Sequence, residues 1–338
     1  MQRRGGASYK VRATAAGPAG NPVNPSKFAA IPFTASAMPT TAPPFLRPHD
    51  QVAIVCPARS ASHQELAAAV ATLESWGLRV VLGESTNVAH HQFGGDDEIR
   101  RRDFQQQLDN PDIRAILSAR GGYGTTRIID QIDFSGFAEN PKWVAGFSDI
   151  TTLNCHLLAL GHQSIHGVMP LLFGQAGGEE SLESLRRALF GEPVRYEVAP
   201  HALNRFGTAT GELVGGNLSL LQTLTGTRSD VATAGRILFL EDIDEYLYAI
   251  DRMMVHLDRT GKLQHLAGLL VGHFTNPQDN TIPYGQTPNE IIQHYAAKYG
   301  FPVAHGFPVG HEPRNMALIC GRPARLTVDA AGSRLEYL

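Results

Sequence analysis

The fold is decided by Val144-Ala145-Gly146-Phe147-Ser148-Asp149-Ile150, a short apolar run that breaks at a glycine and continues into a serine and an acid. The residues that follow, Thr151 to Leu160, have the pattern of a helix. A strand that ends at Gly146 and leads into a helix holds Ser148 at the turn, with backbone N–H groups beside its hydroxyl. An acyl-transfer nucleophile would occupy this position. The alternative is a serine that only caps the helix.

Upstream of this stretch, apolar runs alternate with helical patterns. Such alternation predicts a parallel sheet covered by helices. The predicted elements are a strand over Gln51 to Cys56, a helix over Gln64 to Trp76 with its cap at Ser60 or Ser62, a strand over Leu78 to Leu82, a helix over Asp96 to Leu108, and strands over Ala115 to Ala119 and Trp143 to Gly146. The glycine loop Arg120-Gly121-Gly122-Tyr123-Gly124 directly follows the third strand. We therefore expect this loop and Ser148 at the same carboxyl edge of the sheet, where open α/β sheets bind ligands.

Downstream of His166 the pattern changes to short strands punctuated by glycines, with few helices. This change predicts a second, β-rich α/β domain. The predicted organisation is a disordered leader over 1–45, an N-terminal α/β domain with a Rossmann- or flavodoxin-like parallel sheet over 46–188, a linker over 189–204 and a C-terminal domain over 205–338. The leader prediction rests on a composition rich in Ala, Pro, Thr, Ser and Gly, which offers little to bury.

Charge, cysteine usage and hydropathy exclude several classes of function. The chain has 338 residues with a net charge of -3, and its Lys and Arg residues are dispersed, so a nucleic-acid partner is not expected. No apolar run reaches the roughly 18 residues of a membrane span, so we expect a soluble protein without a membrane partner. Cys56, Cys155 and Cys320 lie far apart in apolar contexts, which favours buried free thiols in a reducing, cytoplasmic compartment.

A serine nucleophile needs a base and a group that orients the base. His311 lies in a loop with two prolines and two glycines, Gly306 to Pro313, which fixes the backbone around one imidazole. Glu241 ends the apolar run Ile237 to Leu240, so a strand would hold a carboxylate at its tip. The acids that follow Glu241 are expected to be solvated; they are Asp242, Asp244 and Glu245. Each candidate also has a structural alternative. A loop histidine, for example, is commonly a surface residue.

The order of these motifs resembles the LD-carboxypeptidase family of serine peptidases, which includes murein tetrapeptide carboxypeptidases and microcin C self-immunity hydrolases. The resemblance covers Pro48 to the C-terminus. The matching blocks are Phe93-Gly94-Gly95 with the acid and arginine stretch that ends at Asp103, Arg120 to Gly124, Gly146 to Asp149, Gly215 to Leu218, Leu240 to Asp242, Ile250 to Met253, and Gly310-His311. The family's catalytic serine, glutamate and histidine fall on Ser148, Glu241 and His311.

The resemblance also implies a fold, in which an N-terminal α/β domain supplies Ser148 and a β-rich swivelling C-terminal domain supplies Glu241 and His311. The implied reaction is release of terminal D-alanine from murein tetrapeptides through an acyl-enzyme, with no metal and no cofactor, by a homodimer. The oxyanion would lie against the backbone N–H of Asp149 and that of Gly121 or Gly122. The expected substrate contacts are Arg120, Tyr123 and Asn217, although bracing of loops is an equal alternative for Arg120 and Asn217.

Two other functions stay open from the sequence. One is hydrolysis of an acyl-sulfamoyl or aminoacyl-nucleotide, as in the microcin-immunity branch of the resemblance. The other is a noncatalytic module that binds muropeptides.

Overall fold

A computed structural model describes residues 40–338, and most of the predicted leader, 1–39, lies outside the described residues. The strands, in chain order, are β1 (Gln51–Val55), β2 (Arg79–Leu82), β3 (Ile113–Ser118), β4 (Trp143–Ala145), β5 (Ser164–His166), β6 (Arg195–Val198), β7 (Gly207–Asn217), β8 (Ile237–Ile243), β9 (Gly268–Thr275), β10 (Val303–His305), β11 (Leu318–Cys320), β12 (Pro323–Asp329) and β13 (Gly332–Tyr337).

The α-helices lie between these strands. They are α1 (His63–Ser75), α2 (Asp97–Asp109), α3 (Thr125–Ile128), α4 (Thr151–Ala159), α5 (Glu179–Phe190), α6 (Leu218–Leu224), α7 (Leu247–Arg259) and α8 (Pro288–Ala296). Short 3₁₀ turns cover Ile129–Gln131, Ser148–Ile150 and Pro170–Leu172.

The first sheet has the strand order β11-β5-β4-β3-β1-β2. β2, β1, β3, β4 and β5 run parallel, and β11 joins antiparallel at the edge. Val52 and Ile54 pack into one apolar cluster while Ala53 and Val55 pack into another, so β1 is buried on both faces. This two-sided burial explains why β1 reads as an unbroken apolar run.

The second sheet has the order β10-β9-β8-β7-β12-β13-β6. The half from β10 to β7 is parallel, whereas β12, β13 and β6 add an antiparallel meander to β7. The predicted fold class, a parallel α/β sheet followed by a second β-rich α/β region, is confirmed.

Local signals explain most of the element boundaries. Ser62 caps α1 through a complete capping box with Glu65, as the cap prediction expected. Lys142, which precedes β4, donates from Nζ to the carbonyls of Gln107 at 3.1 Å and Asn110 at 2.7 Å. A buried lysine thus satisfies carbonyls at the end of α2 that have no partner within the helix.

Several elements differ from the sequence expectation. The apolar pattern does not predict β5, β10 and β11, which have three residues each, or the polar strand β13. The stretch 189–204, predicted as a linker with a strand over Val194 to Val198, contains the end of α5 and β6, so the strand is confirmed. Because β11 pairs with β5, the first sheet takes a strand from near the C-terminus. Runs this short carry too little periodicity to be recognised.

The carboxyl ends of the two sheets meet at the start of α4. The backbone N–H of Asn217, at the end of β7, donates to Oγ1 of Thr151 at 3.1 Å. A Cβ on Gly216 would lie 2.6 Å from Thr151 Cγ2, so the two segments approach as closely as glycine allows. Asn217 is also the register partner of Glu241 across β7 and β8. This junction brings the tip of β8 to the turn that carries Ser148.

None of the helices within 40–338 is long and apolar enough to cross a membrane. Cys56, Cys155 and Cys320 are all free and buried, as the sequence predicted.

Candidate active site

Ser148 lies at a strained turn between β4 and α4. Its φ is 62°, in the left-handed region that non-glycine residues seldom adopt. Gly146, two residues earlier, has φ 158°, and its carbonyl accepts a hydrogen bond from Asn154 Nδ2 at 3.1 Å. Strained backbone of this kind persists only where the surrounding structure imposes it, and it is concentrated at functional sites.

The helix that follows does not use Ser148 as a cap. The 3₁₀ turn Ser148–Ile150 leads directly into α4, and neither the turn nor the helix has a side-chain capping hydrogen bond. The alternative that Ser148 serves as a helix cap is therefore wrong for this turn. Ser148 stays partly exposed, and its hydroxyl makes no capping bond to the helix.

The glycine loop packs directly on Ser148. A Cβ on Gly121 would lie 2.9 Å from Ser148 Cβ and 3.1 Å from its Oγ. Gly122 has φ 107°, and a Cβ there would lie 2.1 Å from Cδ of Arg59. Both positions therefore require glycine, the first for space and the second for conformation as well. The predicted neighbourhood of loop and serine is confirmed as geometry.

Arg100, which the site prediction did not include, holds this loop in place from the protein interior. Its side chain is fully buried, and Nη1 donates to the carbonyls of Pro57 at 2.5 Å and Gly124 at 2.9 Å. The guanidinium also lies 4.9 Å from the centre of the Phe93 ring. Helical periodicity could have predicted that Arg100 is buried, because it lies on the same face of α2 as Phe104 and Leu108.

Asp149 turns its carboxylate away from the serine. Oδ2 accepts the backbone N–H of Thr125, the first residue of α3, at 2.8 Å. Burial raises the pKa of Asp149, although the Thr125 hydrogen bonds and the charge of Arg100 oppose this shift. The side chain thus links the Ser148 turn to the end of the glycine loop. The expected oxyanion contact uses only the backbone N–H of Asp149.

Glu241 and His311 form a buried pair. Nδ1 of His311 lies 2.8 Å from Oε2 of Glu241, whose side chain has no exposed surface, while that of His311 is 13% exposed. The His311 ring packs on Phe147, with 4.8 Å between ring centres. His311 therefore lies against the residue that precedes Ser148. The described residues show no hydrogen bond between His311 and the Ser148 hydroxyl.

The pair perturbs the titration of His311. Burial alone would lower its pKa, but the hydrogen bond to Glu241 and the charge of that carboxylate outweigh burial, so the pKa is raised. Because Glu241 occupies Nδ1, Nε2 is the nitrogen left to exchange a proton.

The expectation that the acids after Glu241 are solvated is wrong for Asp242. Its side chain is buried, Oδ2 accepts the N–H of Ser219 at 2.9 Å, and Oδ1 accepts Nδ2 of Asn217 at 2.8 Å. Burial, followed by the charge of Glu241, raises the pKa of Asp242 to about 7. Asp244, by contrast, is exposed.

The predicted substrate residues lie in different surroundings. Tyr123 is 48% exposed on the glycine loop, and its ring centre is 6.2 Å from that of Phe93. Arg120 donates from Nη1 to the carbonyl of Ser60 at 3.3 Å. The side chain of Asn217 caps α6 by accepting the N–H of Leu220 at 3.2 Å. These contacts favour the bracing alternative for Asn217 and leave Tyr123 as the most accessible of the three.

Comparison with known proteins places these features in a family. Residues 52–167 match the model of the LD-carboxypeptidase N-terminal domain, and residues 210–326 match that of the C-terminal domain. A probable murein peptide carboxypeptidase of Bacillus subtilis is 35% identical over 302 residues, which cover 87% of this chain and 94% of the relative.

Solved structures give the same grouping. The crystal structure of muramoyltetrapeptide carboxypeptidase from Oxalobacter formigenes has a TM-score of 0.76 at 29% identity, covering 85% of this chain and 98% of that one. The microcin C7 self-immunity protein MccF, in complex with aspartyl sulfamoyl adenosine, shares the fold with a TM-score of 0.78 at 20% identity, covering 88% and 98%. The chain belongs to the LD-carboxypeptidase family.

Proposed function

We propose that this protein is a serine LD-carboxypeptidase that releases terminal D-alanine from murein tetrapeptides during peptidoglycan recycling. Ser148, His311 and Glu241 act as nucleophile, general base and orienting acid. The observation that carries the proposal is the buried His311–Glu241 hydrogen bond, which lies against the strained turn of Ser148. The names of the related murein carboxypeptidases support the substrate class.

The first half of the reaction forms an acyl-enzyme. Nε2 of His311 takes the proton from Ser148 Oγ while the oxygen attacks the amide carbonyl between an L-centred diamino acid residue and D-alanine. Glu241 holds the imidazole in the tautomer with Nδ1 protonated and stabilises the imidazolium that forms. His311 then gives the proton to the departing amine of D-alanine. Water then attacks the acyl-enzyme. Nε2 of His311 takes a proton from this water and gives it to Ser148 Oγ as the ester bond breaks.

The negative charge that develops on the carbonyl oxygen needs donors near Ser148. The backbone N–H of Asp149 and that of Gly121 or Gly122 are the proposed donors, supported by the close packing of Gly121 on the serine. Loss of one such donor costs on the order of 3 kcal/mol in comparable sites.

The exposed Tyr123 and the half-buried Arg120 are the proposed contacts for the peptide, because both belong to the loop that packs on Ser148. Asn217 remains a proposed substrate contact only through atoms that do not cap α6. We propose a homodimer without cofactor, nucleic-acid or membrane partner, in the cytoplasm.

Incubation with L-Ala-γ-D-Glu-meso-diaminopimelyl-D-Ala, followed by mass spectrometry, tests this function. We expect loss of one alanine residue to give the tripeptide. A matched peptide with terminal L-alanine should stay intact, since the proposed specificity is for the L,D bond. The lysine-containing tetrapeptide, assayed in parallel, measures the preference at the diamino acid.

Folded protein that releases no D-alanine from either tetrapeptide would contradict the proposal. The same protein assayed with aspartyl sulfamoyl adenosine separates the alternatives. Cleavage of the sulfamoyl compound alone would identify the microcin-immunity activity, and binding of tetrapeptide without cleavage would identify a noncatalytic module.

A further inference from the structure

A second histidine, His166, lies near the Glu241–His311 pair. It ends β5, the strand next to the one that leads to Ser148, and none of its surface is exposed. Within residues 40–338, neither ring nitrogen has a hydrogen-bond partner of good geometry, although the side chain of Asn315 approaches the ring. Buried polar atoms without partners are uncommon in folded proteins and call for an explanation.

Aromatic rings hold His166 in place. Its ring centre lies 5.0 Å from that of Phe239 and 5.7 Å from that of Phe147. Phe147 in turn contacts His311. The imidazole therefore occupies an apolar layer directly behind the site, where a phenylalanine would fit more simply if packing were its only role.

This environment keeps His166 neutral. Burial lowers its pKa to about 4, and the charge of Glu241 only partly offsets the effect of burial. A neutral imidazole carries one N–H donor and one acceptor nitrogen. At physiological pH, His166 therefore has a single N–H to donate and adds no charge.

Glu241 has a carboxylate oxygen that lacks a hydrogen-bond donor. Oε2 is bound to His311, whereas Oε1 is buried without a partner among the described residues. Asn315, which acts on His166 through a side-chain interaction, accepts the N–H of Gly310 at 3.0 Å. A Cβ on Gly310 would lie 3.2 Å from Cβ of Glu241. Asn315 and Glu241 thus lie on either side of Gly310, the residue before His311.

We propose that His166 is a positioning residue whose ring N–H donates toward Oε1 of Glu241 through one water molecule, and so holds Oε2 on His311. This inference rests on the proposed function for its kinetic consequence. A neutral donor stabilises the carboxylate without competing for the proton that His311 must exchange.

Other charged groups around the pair have to be considered in any pH measurement. Asp242 and Asp244, on the segment of Glu241, act on His311. Glu241 also acts on Asp242 and on His273 of β9, and His273 is affected in turn by Glu312 and Arg314 beside His311. The backbone of His166 contacts Cys320 on β11. Substitutions at His166 leave all of these groups unchanged.

Replacing His166 by Phe keeps the apolar contacts and removes the donor. We expect kcat/KM for the tetrapeptide to fall roughly 10- to 100-fold, the effect of losing a hydrogen bond to a charged group. The positive end of the donor dipole also opposes protonation of His311. Its removal should therefore raise the pKa of His311 and move the acidic limb of kcat/KM to higher pH.

Two conservative variants serve as rescue. His166→Asn places an N–H near the position of Nδ1, and His166→Gln places one near Nε2. We expect one of them to restore the pH profile and most of kcat/KM, which would also identify the donating nitrogen. His305→Phe is the matched control, because His305 is equally buried at the end of β10 but is bound to Asn289 and Gln293. It should leave the titration of His311 unchanged.

NMR titration of the imidazoles tests the inference without substrate, so its failure is distinguishable from failure of the proposed function. In the wild-type protein we expect His166 to stay neutral from pH 5 to 9 and to show a protected, downfield N–H proton that shifts in Glu241→Gln. A His166 that titrates in this range, or an N–H that is indifferent to Glu241→Gln, would overturn the proposal. So would wild-type behaviour of folded His166→Phe in both assays.

Discussion

The Ser148 turn and the Glu241–His311 pair are built in different ways. The turn is local, because Gly146, Ser148 and the start of α4 are contiguous in the chain; the glycine loop then packs on it. The pair joins residues 70 positions apart and is sealed from water on the Glu241 side. Phe147 is where the two regions touch.

This difference indicates how each half of the site can be damaged. A change at the turn alters the position of one atom and leaves the core intact, since the Ser148 hydroxyl caps no helix. A change at the pair removes a partner from a buried charge or imidazole, which affects electrostatics as well as position. Substitutions in each half of the site separate these two modes of damage.

Ser148→Ala should have the largest effect on activity, a loss of up to roughly 10⁶-fold in kcat, as for nucleophile removal in other serine hydrolases. The melting temperature should change little. Ser62→Ala is the control with the opposite expected result, because Ser62 closes the capping box of α1. It should cost about 1 kcal/mol of stability and leave turnover intact. A marked stability loss in Ser148→Ala would mean that the turn depends on the hydroxyl.

Glu241→Gln should lower kcat roughly 10⁴-fold, because an amide favours the wrong tautomer of His311. The base must be neutral to act, so the activity of the wild type should fall as pH decreases through the raised pKa of His311, above the ordinary value of about 6.5. Without the carboxylate that pKa drops, and the acidic limb should move to lower pH. Asp244→Asn, which removes an exposed acid from the same segment, should leave the limb nearly in place. A flat rate between pH 5 and 7 would exclude His311 as the base.

Gly121→Ala should lower kcat/KM by roughly 10²-fold through displacement of the serine or of the Gly121 N–H. The new methyl would lie 2.9 Å from Ser148 Cβ, which forces the loop or the turn to move. Gly136→Ala is the control, since a Cβ there meets nothing within 4 Å. If kcat/KM is equal in both variants, contact between the glycine loop and Ser148 does not matter for catalysis.

Removal of metal ions should have no effect on turnover, because the proposed mechanism draws its nucleophile and base from side chains. Dialysis against EDTA, followed by the tetrapeptide assay, measures this directly. Activity that is lost and then recovered on addition of Zn²⁺ or Mg²⁺ would contradict the triad.

The sequence by itself determined the local parts of the molecule. The apolar run of β1 and the helical pattern of α1, with its Ser62 cap, were readable because side-chain periodicity and capping depend on neighbouring residues. The Ser148 turn was readable for the same reason, since a strand, a glycine and a helix are contiguous in the chain.

Only the tertiary structure decided the features that depend on distant contacts. It placed β11 beside β5, buried Asp242 under the cap of α6, and put Arg100 and His166 behind the site. In the sequence, His166 is one of 14 histidines, and nothing nearby shows that both of its nitrogens are sealed from water. The physical reason is that desolvation and hydrogen-bond partners arise from segments far apart in the chain, so that only the packed fold sets the charge and orientation of a buried group.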